Sequence, residues 1–263
     1  MTETDITRTL DGKVVFVTGA ARGLGQGFCQ SLAAHGASVI AGDISDCGET
    51  TASVASATGD SGRAVGVALD VTDADSCAAA VATAVERFGR LDGLVNNAAL
   101  YAGLTMTGFD RIPDDEWQAA MDVNVTGVFN MCRAAVDPMK EAGGGSIVNI
   151  ASLAAVYGMA NALHYTTSKA AVIGLTRGLA RELGRHWIRV NAVAPSAVRT
   201  EGTTEFFGAD GVDDALDVIS KQQALRRNLD PADVAGTIVY LMSNSSTFVT
   251  AQTLMVDGGT IAT

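Results

Sequence analysis

With 263 residues, 48% of them apolar, the chain is long enough for one large α/β core, and no linker divides it. A formal net charge of −11 excludes the basic surface that nucleic acid requires, and no stretch has the apolar length of a membrane span; a cytoplasmic location is expected. Cys29, Cys47, Cys77 and Cys132 are too scattered for a ligand set, so no metal is expected and the thiols are read as reduced packing residues.

Taken in order, the chain opens on a polar segment, residues 1–9, read as a disordered tail without the apolar core of a signal peptide. A single domain over residues 10–263 should follow. Its strands are predicted at Val14–Thr18, Ser38–Gly42, Ala64–Leu69, Gly93–Asn96, Ser146–Ala151, Arg189–Val193 and Thr253–Val256, with helices in the intervals. Asp230-Pro231-Ala232-Asp233 reads as the start of one such helix, an N-cap followed by proline at the first helical position. Apolar strands alternating with helices predict a doubly wound, seven-stranded parallel sheet covered on both faces, with the ligand beyond the carboxyl ends of the strands.

The first strand runs at once into Thr18-Gly19-Ala20-Ala21-Arg22-Gly23-Leu24-Gly25, and a helix is expected from Leu24 to His35. Glycines at this spacing permit positive φ and close approach to a pyrophosphate, and the free N–H groups of the helix start face the phosphates. An ordinary βαβ unit is the alternative. The second strand, however, ends at Asp43, where a dinucleotide fold places its ribose-binding carboxylate.

Further along, Tyr165 and Lys169 stand one helical turn apart, thirteen and seventeen residues after Ser152. A phenol with a reference pKa of about 10 is a poor base at neutral pH. An ammonium roughly 4–5 Å away favours the phenolate by roughly 3–4 kcal/mol, which predicts a Tyr165 that titrates near the working pH. Alone, such a pair more often merely decorates a helix.

These segments, with Asp70-Val71, Asn96-Asn97-Ala98-Ala99, Asn124, Asn191 to Pro195 and Val256-Asp257-Gly258-Gly259 in order, resemble the short-chain dehydrogenase/reductase family from about Gly12 to the C-terminus. The resemblance implies an NAD(H)-dependent oxidoreductase with Ser152, Tyr165, Lys169 and Asn124 as its catalytic group. Tyr165 would be the acid/base, Lys169 would lower its pKa and hold the nicotinamide ribose, and Ser152 would hydrogen-bond the reacting oxygen. Asn124 would hold a water linking Lys169 to solvent.

By the same resemblance, the cofactor would be held by Gly19, Arg22, Gly23, Leu24, Gly25, Asp43, Asp70, Val71, Asn97, Ala98, Tyr165, Lys169, Val198 and Thr200. NAD is expected over NADP, because Asp43 accepts both ribose hydroxyls and would repel a 2′-phosphate. Arg22, which pairs with that phosphate in other members, is read as neutralised by Asp43. Ala99 and Ser196 stand where the family pattern has glycine, so substrate identity does not carry over from a generic relative.

The stretch around Ala194–Thr200, with His164 before the tyrosine, looks like the branch that oxidises secondary alcohols on aromatic compounds. Tyr101, Leu153, Tyr157, Met159, Ser196 and Phe206 would line an apolar pocket, and residues 200–226 would form a lid, a plain surface helix being the alternative. His164 itself is read as a surface or core histidine. A homotetramer is the family expectation. Two other functions stay open: a 3-oxoacyl-thioester reductase and a non-catalytic NAD-sensing regulator.

Overall fold

The computed structural model describes residues 8–261, so most of the predicted tail lies outside the described residues. Seven strands form one parallel sheet: β1 (Val14–Thr18), β2 (Ser38–Asp43), β3 (Ala64–Ala68), β4 (Gly93–Asn96), β5 (Gly145–Ile150), β6 (Ile188–Pro195) and β7 (Thr253–Val256). Their spatial order is β3-β2-β1-β4-β5-β6-β7. Three of the predicted strands have the observed ends. The largest difference is β6, which runs two residues further because Ala194 and Pro195 stay in register with Met255 and Val256.

The helices are α1 (Gly23–Ala34), α2 (Gly48–Thr58), α3 (Ala74–Phe88), α4 (Asp114–Met121), α5 (Gly127–Glu141), α6 (Ala154–Tyr157), α7 (Leu163–Leu183), α8 (Glu201–Phe207), α9 (Val212–Gln222) and α10 (Pro231–Met242). Successive strand residues point to opposite faces of the sheet, so each central strand feeds two cores. Val15 and Val17 of β1 join Phe28 and Leu32 of α1 and Ile238 of α10. Val14 and Phe16 join Val81 of α3, Met131 of α5 and Val172 of α7 on the other side. This two-sided burial explains why the central strands read as unbroken apolar runs.

As its sequence indicates, α10 begins with a capping box between Asp230 and Asp233 and proline in the first turn. The strand order reverses between β1 and β4, which opens a crevice at their carboxyl ends. The turn after β1, the loop after β4 and the start of α7 all reach it. No helix among the described residues is long and apolar enough to cross a membrane.

Candidate active site

A cleft of about 920 Å³ occupies this crevice. At one end lies the glycine turn. Gly19 and Gly23 have φ of +64° and +59°. A Cβ on Gly19 would stand 2.7 Å from Ala98 Cα, and one on Gly25 would stand 2.0 Å from the Gly19 carbonyl oxygen, so the strand, turn and helix meet backbone to backbone. Arg22, the N-cap of α1, makes no side-chain cap, and no acid occupies the first turn, which leaves the positive end of the helix turned to the cleft. This cradle fits a pyrophosphate.

Thr18 organises the turn, a role not legible in the sequence pattern. Its hydroxyl accepts the N–H groups of Asn97 at 3.0 Å and Ala98 at 2.9 Å, while Asn97 Nδ2 donates to the Thr18 and Gly19 carbonyls. Asp43 accepts from Ala21 N at 2.9 Å and Ser45 N at 3.0 Å, one bond to each carboxylate oxygen. The carboxylate is thereby fixed at the cleft rim with lone pairs to spare for ribose hydroxyls.

Arg22 departs from expectation. It does not pair with Asp43; its guanidinium forks onto Glu205 of α8, with Nη2 3.0 Å from Oε2, and also approaches Glu201 at 3.5 Å. Both glutamates come from the segment predicted as a lid, and the hydrogen bond with Glu205 is the main cause that raises the Arg22 pKa above its ordinary value.

Asp70, Val71, Leu24, Val198 and Thr200 line the same cleft, as the sequence implies. Asp70 is shaped by Thr72, whose N–H and hydroxyl it accepts at 2.9 and 2.7 Å. Thr200 also caps α8, its hydroxyl accepting the Thr203 N–H.

Tyr165, Ser152 and Lys169 meet in the middle of the cleft. The expected electrostatics is overturned. Burial pushes the Tyr165 phenol up to about 12, opposed by a hydrogen bond with Ser152. Burial also pulls Lys169 down to about 8. The Lys169 ammonium donates to the Ile150 carbonyl at 2.9 Å and lies 5.8 Å from the Tyr165 ring centroid. Desolvation therefore sets the direction of both shifts.

Asn124 sits in a π-helical turn, Asp122–Thr126, between α4 and α5. Its side chain accepts the Leu100 N–H at 2.7 Å and donates to the Leu100 carbonyl and the Ser168 hydroxyl, both at 3.0 Å. It thus ties the loop after β4 to α7.

The other end of the cleft is apolar, lined by Tyr101, Leu153, Tyr157 and Met159, with Ser196 and Ala99 at its edge. Phe206 is a correction. It is buried behind Tyr101, stacked on that ring at 4.3 Å, and the neighbouring Phe207 reaches the cleft instead. Consecutive helix residues diverge by about 100°, so only one of the two can face inward. Ile219 and Gln222 of α9 and Ile261 also line the cleft, although the sequence reading did not place them in the pocket.

All four cysteines are buried and unbridged, and burial raises the pKa of each thiol. No cluster of three or more potential metal ligands occurs among the described residues.

Residues 19–260 match the family model described as enoyl-(acyl carrier protein) reductase. A 3-alpha-(or 20-beta)-hydroxysteroid dehydrogenase of Mycobacterium tuberculosis is 44% identical over 253 residues, 96% of this chain and 91% of the relative. The 3-oxoacyl-[acyl-carrier-protein] reductase FabG of Thermotoga maritima is 38% identical over 252 residues, 96% and 99% of the two chains. Among solved structures, carveol dehydrogenase from Mycobacterium avium in complex with NAD superposes with a TM-score of 0.88 at 35% identity, covering 96% of this chain and 98% of that one. With the glycine turn, Ser152, Tyr165 and Lys169 gathered in one cleft, this chain is an oxidoreductase of the short-chain dehydrogenase/reductase family.

Proposed function

We propose that the protein oxidises a secondary alcohol carried on an apolar or aromatic framework to the ketone with NAD, and catalyses the reverse reduction with NADH. One observation carries this reading: the Tyr165 phenol, with Ser152 beside it, stands where the polar, glycine-lined half of the cleft meets the apolar half walled by Tyr101, Leu153, Tyr157 and Met159. Bound NAD would supply the acceptor for the hydride that leaves the carbinol carbon. Tyr165 takes the hydroxyl proton in oxidation and returns it to the carbonyl oxygen in reduction. Ser152 donates a hydrogen bond to the same oxygen.

Held at about 12, the resting phenol is in its acid form, ready for carbonyl reduction; oxidation requires its proton to leave first. Lys169 is buried beside it and donates to the Ile150 carbonyl, while Asn124 bonds directly to Ser168 of α7 and to the Leu100 backbone and so holds α7 to that loop. Asp43 supports NAD over NADP, and the carveol dehydrogenase relative was crystallised with NAD. The hydroxysteroid dehydrogenase relative puts 3α- and 20β-hydroxysteroids beside aryl and alkyl carbinols as candidate substrates.

The test is NAD-dependent turnover on a panel of aryl, alkyl and steroid secondary alcohols, with Tyr165→Phe as control. Turnover that vanishes in the variant while NAD binding stays is expected. Retained NAD binding with no alcohol oxidised rejects the reading, and indifference of the protein's function to Tyr165→Phe would favour an NAD sensor.

The FabG relative supports a second reading, reduction of a 3-oxoacyl thioester. The net charge of −11 disfavours docking of an acidic carrier protein, and reduction of a carrier-bound substrate in preference to the alcohol panel would reverse that ranking.

A cytoplasmic homotetramer completes the proposal. Ala170, Gly174 and Gly178 lie on the exposed side of α7, where an added Cβ at either glycine meets nothing within 4 Å, leaving room for a second helix. Light scattering reads the assembly directly.

A further inference from the structure

The N-terminal turn of α7 carries Tyr165 and begins without an ordinary cap, since Ala162 at the N-cap has no side-chain acceptor to offer. The Thr166 N–H reaches the Ala162 carbonyl at 2.9 Å, but the N–H of Tyr165 precedes that first intrahelical bond. It donates to Nδ1 of His164, the residue before it, at 2.9 Å. An imidazole nitrogen that accepts carries no proton, so the ring proton resides on Nε2. That Nε2–H points at Oε1 of Glu116 in the first turn of α4, 3.0 Å away. The same Oε1 accepts the N–H of Thr105. His164 is fully buried.

Two walls of the cleft are thereby joined through one carboxylate oxygen. Thr105 follows the segment that carries Tyr101, whose ring lies 5.0 Å from the ring of Tyr165 and stacks on Phe206. A second tie, Thr107 N–H to the Asn161 carbonyl at 2.9 Å, holds the same segment to the approach of α7 without involving Glu116 or His164. The loop therefore keeps an attachment when the dyad is altered, and what the dyad adds is the placement of one ring against the other.

We propose that His164 and Glu116 are positioning residues for the reaction at Tyr165: His164 seats the first turn of α7, and Glu116 sets the Tyr101 wall relative to it. This rests on the assignment of Tyr165 as the proton-transfer group. A histidine that merely fills the core would need a partner for each ring nitrogen, but those partners would have no reason to be the tyrosine's own amide and the carboxylate that anchors the opposite wall.

The two ring nitrogens can be tested separately. His164→Asn keeps an acceptor near the place of Nδ1 and gives up the reach to Glu116; His164→Gln keeps a donor near Glu116 and gives up the acceptor. With His164→Gln, kcat is expected to fall about tenfold with KM and NAD affinity unchanged, the effect of one misplaced hydrogen bond at the reacting group. With His164→Asn, KM for the alcohol should rise while kcat stays within about threefold, and Glu116→Gln, which retains an acceptor, should keep both near wild type.

Amide hydrogen exchange provides a readout that needs no substrate. Exchange at Tyr165 should quicken in His164→Gln, and exchange at Thr105 should quicken in Glu116→Ala. The proposal is overturned if the two His164 variants share one kcat and one KM, or if protection at Tyr165 and Thr105 is unchanged. A wild-type protein that oxidises no alcohol, yet shows these exchange changes, refutes the reaction assigned above and upholds the seating of α7.

Discussion

Arg22 in the glycine turn and Glu205 in α8 form a forked ion pair across the rim of the cofactor cleft, 183 residues apart in the chain. The cation that would greet a 2′-phosphate is thus held by α8, in the segment proposed as a lid. Both side chains are about half exposed, so the pair is worth at most about 1 kcal/mol and is screened by salt. Glu205→Gln, or Glu201→Gln combined with it, should raise NADP affinity by up to about fivefold and leave NAD affinity unchanged. Calorimetric titration at low salt checks this; an unchanged NADP affinity would show that Arg22 has no part in cofactor choice.

Asp43 should have the larger effect. Removing its charge with Asp43→Asn leaves one acceptor oxygen, which keeps one of the two bonds from the Ala21 and Ser45 amides, and abolishes the repulsion toward a 2′-phosphate. NADP should then bind roughly a hundredfold more tightly relative to NAD. Equal affinities of the wild-type protein for NAD and NADP would refute the reading from which this follows.

The buried Lys169 should leave a signature in stability against pH. Its ammonium loses its proton near 8 in the fold and near 10.5 when unfolded, so between these values the unfolded chain binds more protons and this group's contribution rises with pH. The contribution is complete above about 10.5 and is lost as pH falls through about 8. Tyr165, raised to about 12, acts in the other direction from about 10 upward, as do the four buried thiols from about 8.5. The lysine term is therefore read as a difference: thermal unfolding of wild type should gain on Lys169→Met between pH 8 and 10. A constant difference would show that the ammonium is not desolvated.

Gly25→Ala tests the backbone contact on which the turn depends. The added methyl would lie 2.0 Å from the Gly19 carbonyl oxygen and 2.8 Å from Asn97 Nδ2. Neither atom can retreat without opening the junction of β1, α1 and the loop after β4. We expect a loss of about 1–3 kcal/mol, or roughly 3–10 °C in Tm, together with NAD binding. Retained NAD affinity at unchanged Tm would mean that the turn relaxes freely.

Much of the scaffold was legible because its signals are local. Val14–Thr18 and Gly93–Asn96 are buried on both faces and bounded by turns, so their apolar runs end where the strands end. The cap at Asp230 and Pro231 likewise depends on neighbours in sequence. The π-turn at Asn124 was not legible. Its extra residue accompanies contacts with Leu100 and Ser168, and with Val71, which a Cβ on Gly127 would approach to 2.6 Å, all remote in sequence.

The same division runs through the candidate active site. One-turn spacing was enough to bring Tyr165 and Lys169 into one cleft, but it could not give the direction of their pKa shifts, which follows from the depth of burial and from the turn of the ammonium toward Ile150. Nor could it tell Phe206 from Phe207, or choose between Asp43 and Glu205 as the partner of Arg22. Residue type and local spacing by themselves determined the doubly wound fold and the glycine cradle, and the family resemblance named the candidate reacting groups. Only the tertiary structure decided their protonation, their pairing across the cleft and the shape of the apolar half, because desolvation and long-range contact are properties of the packed chain.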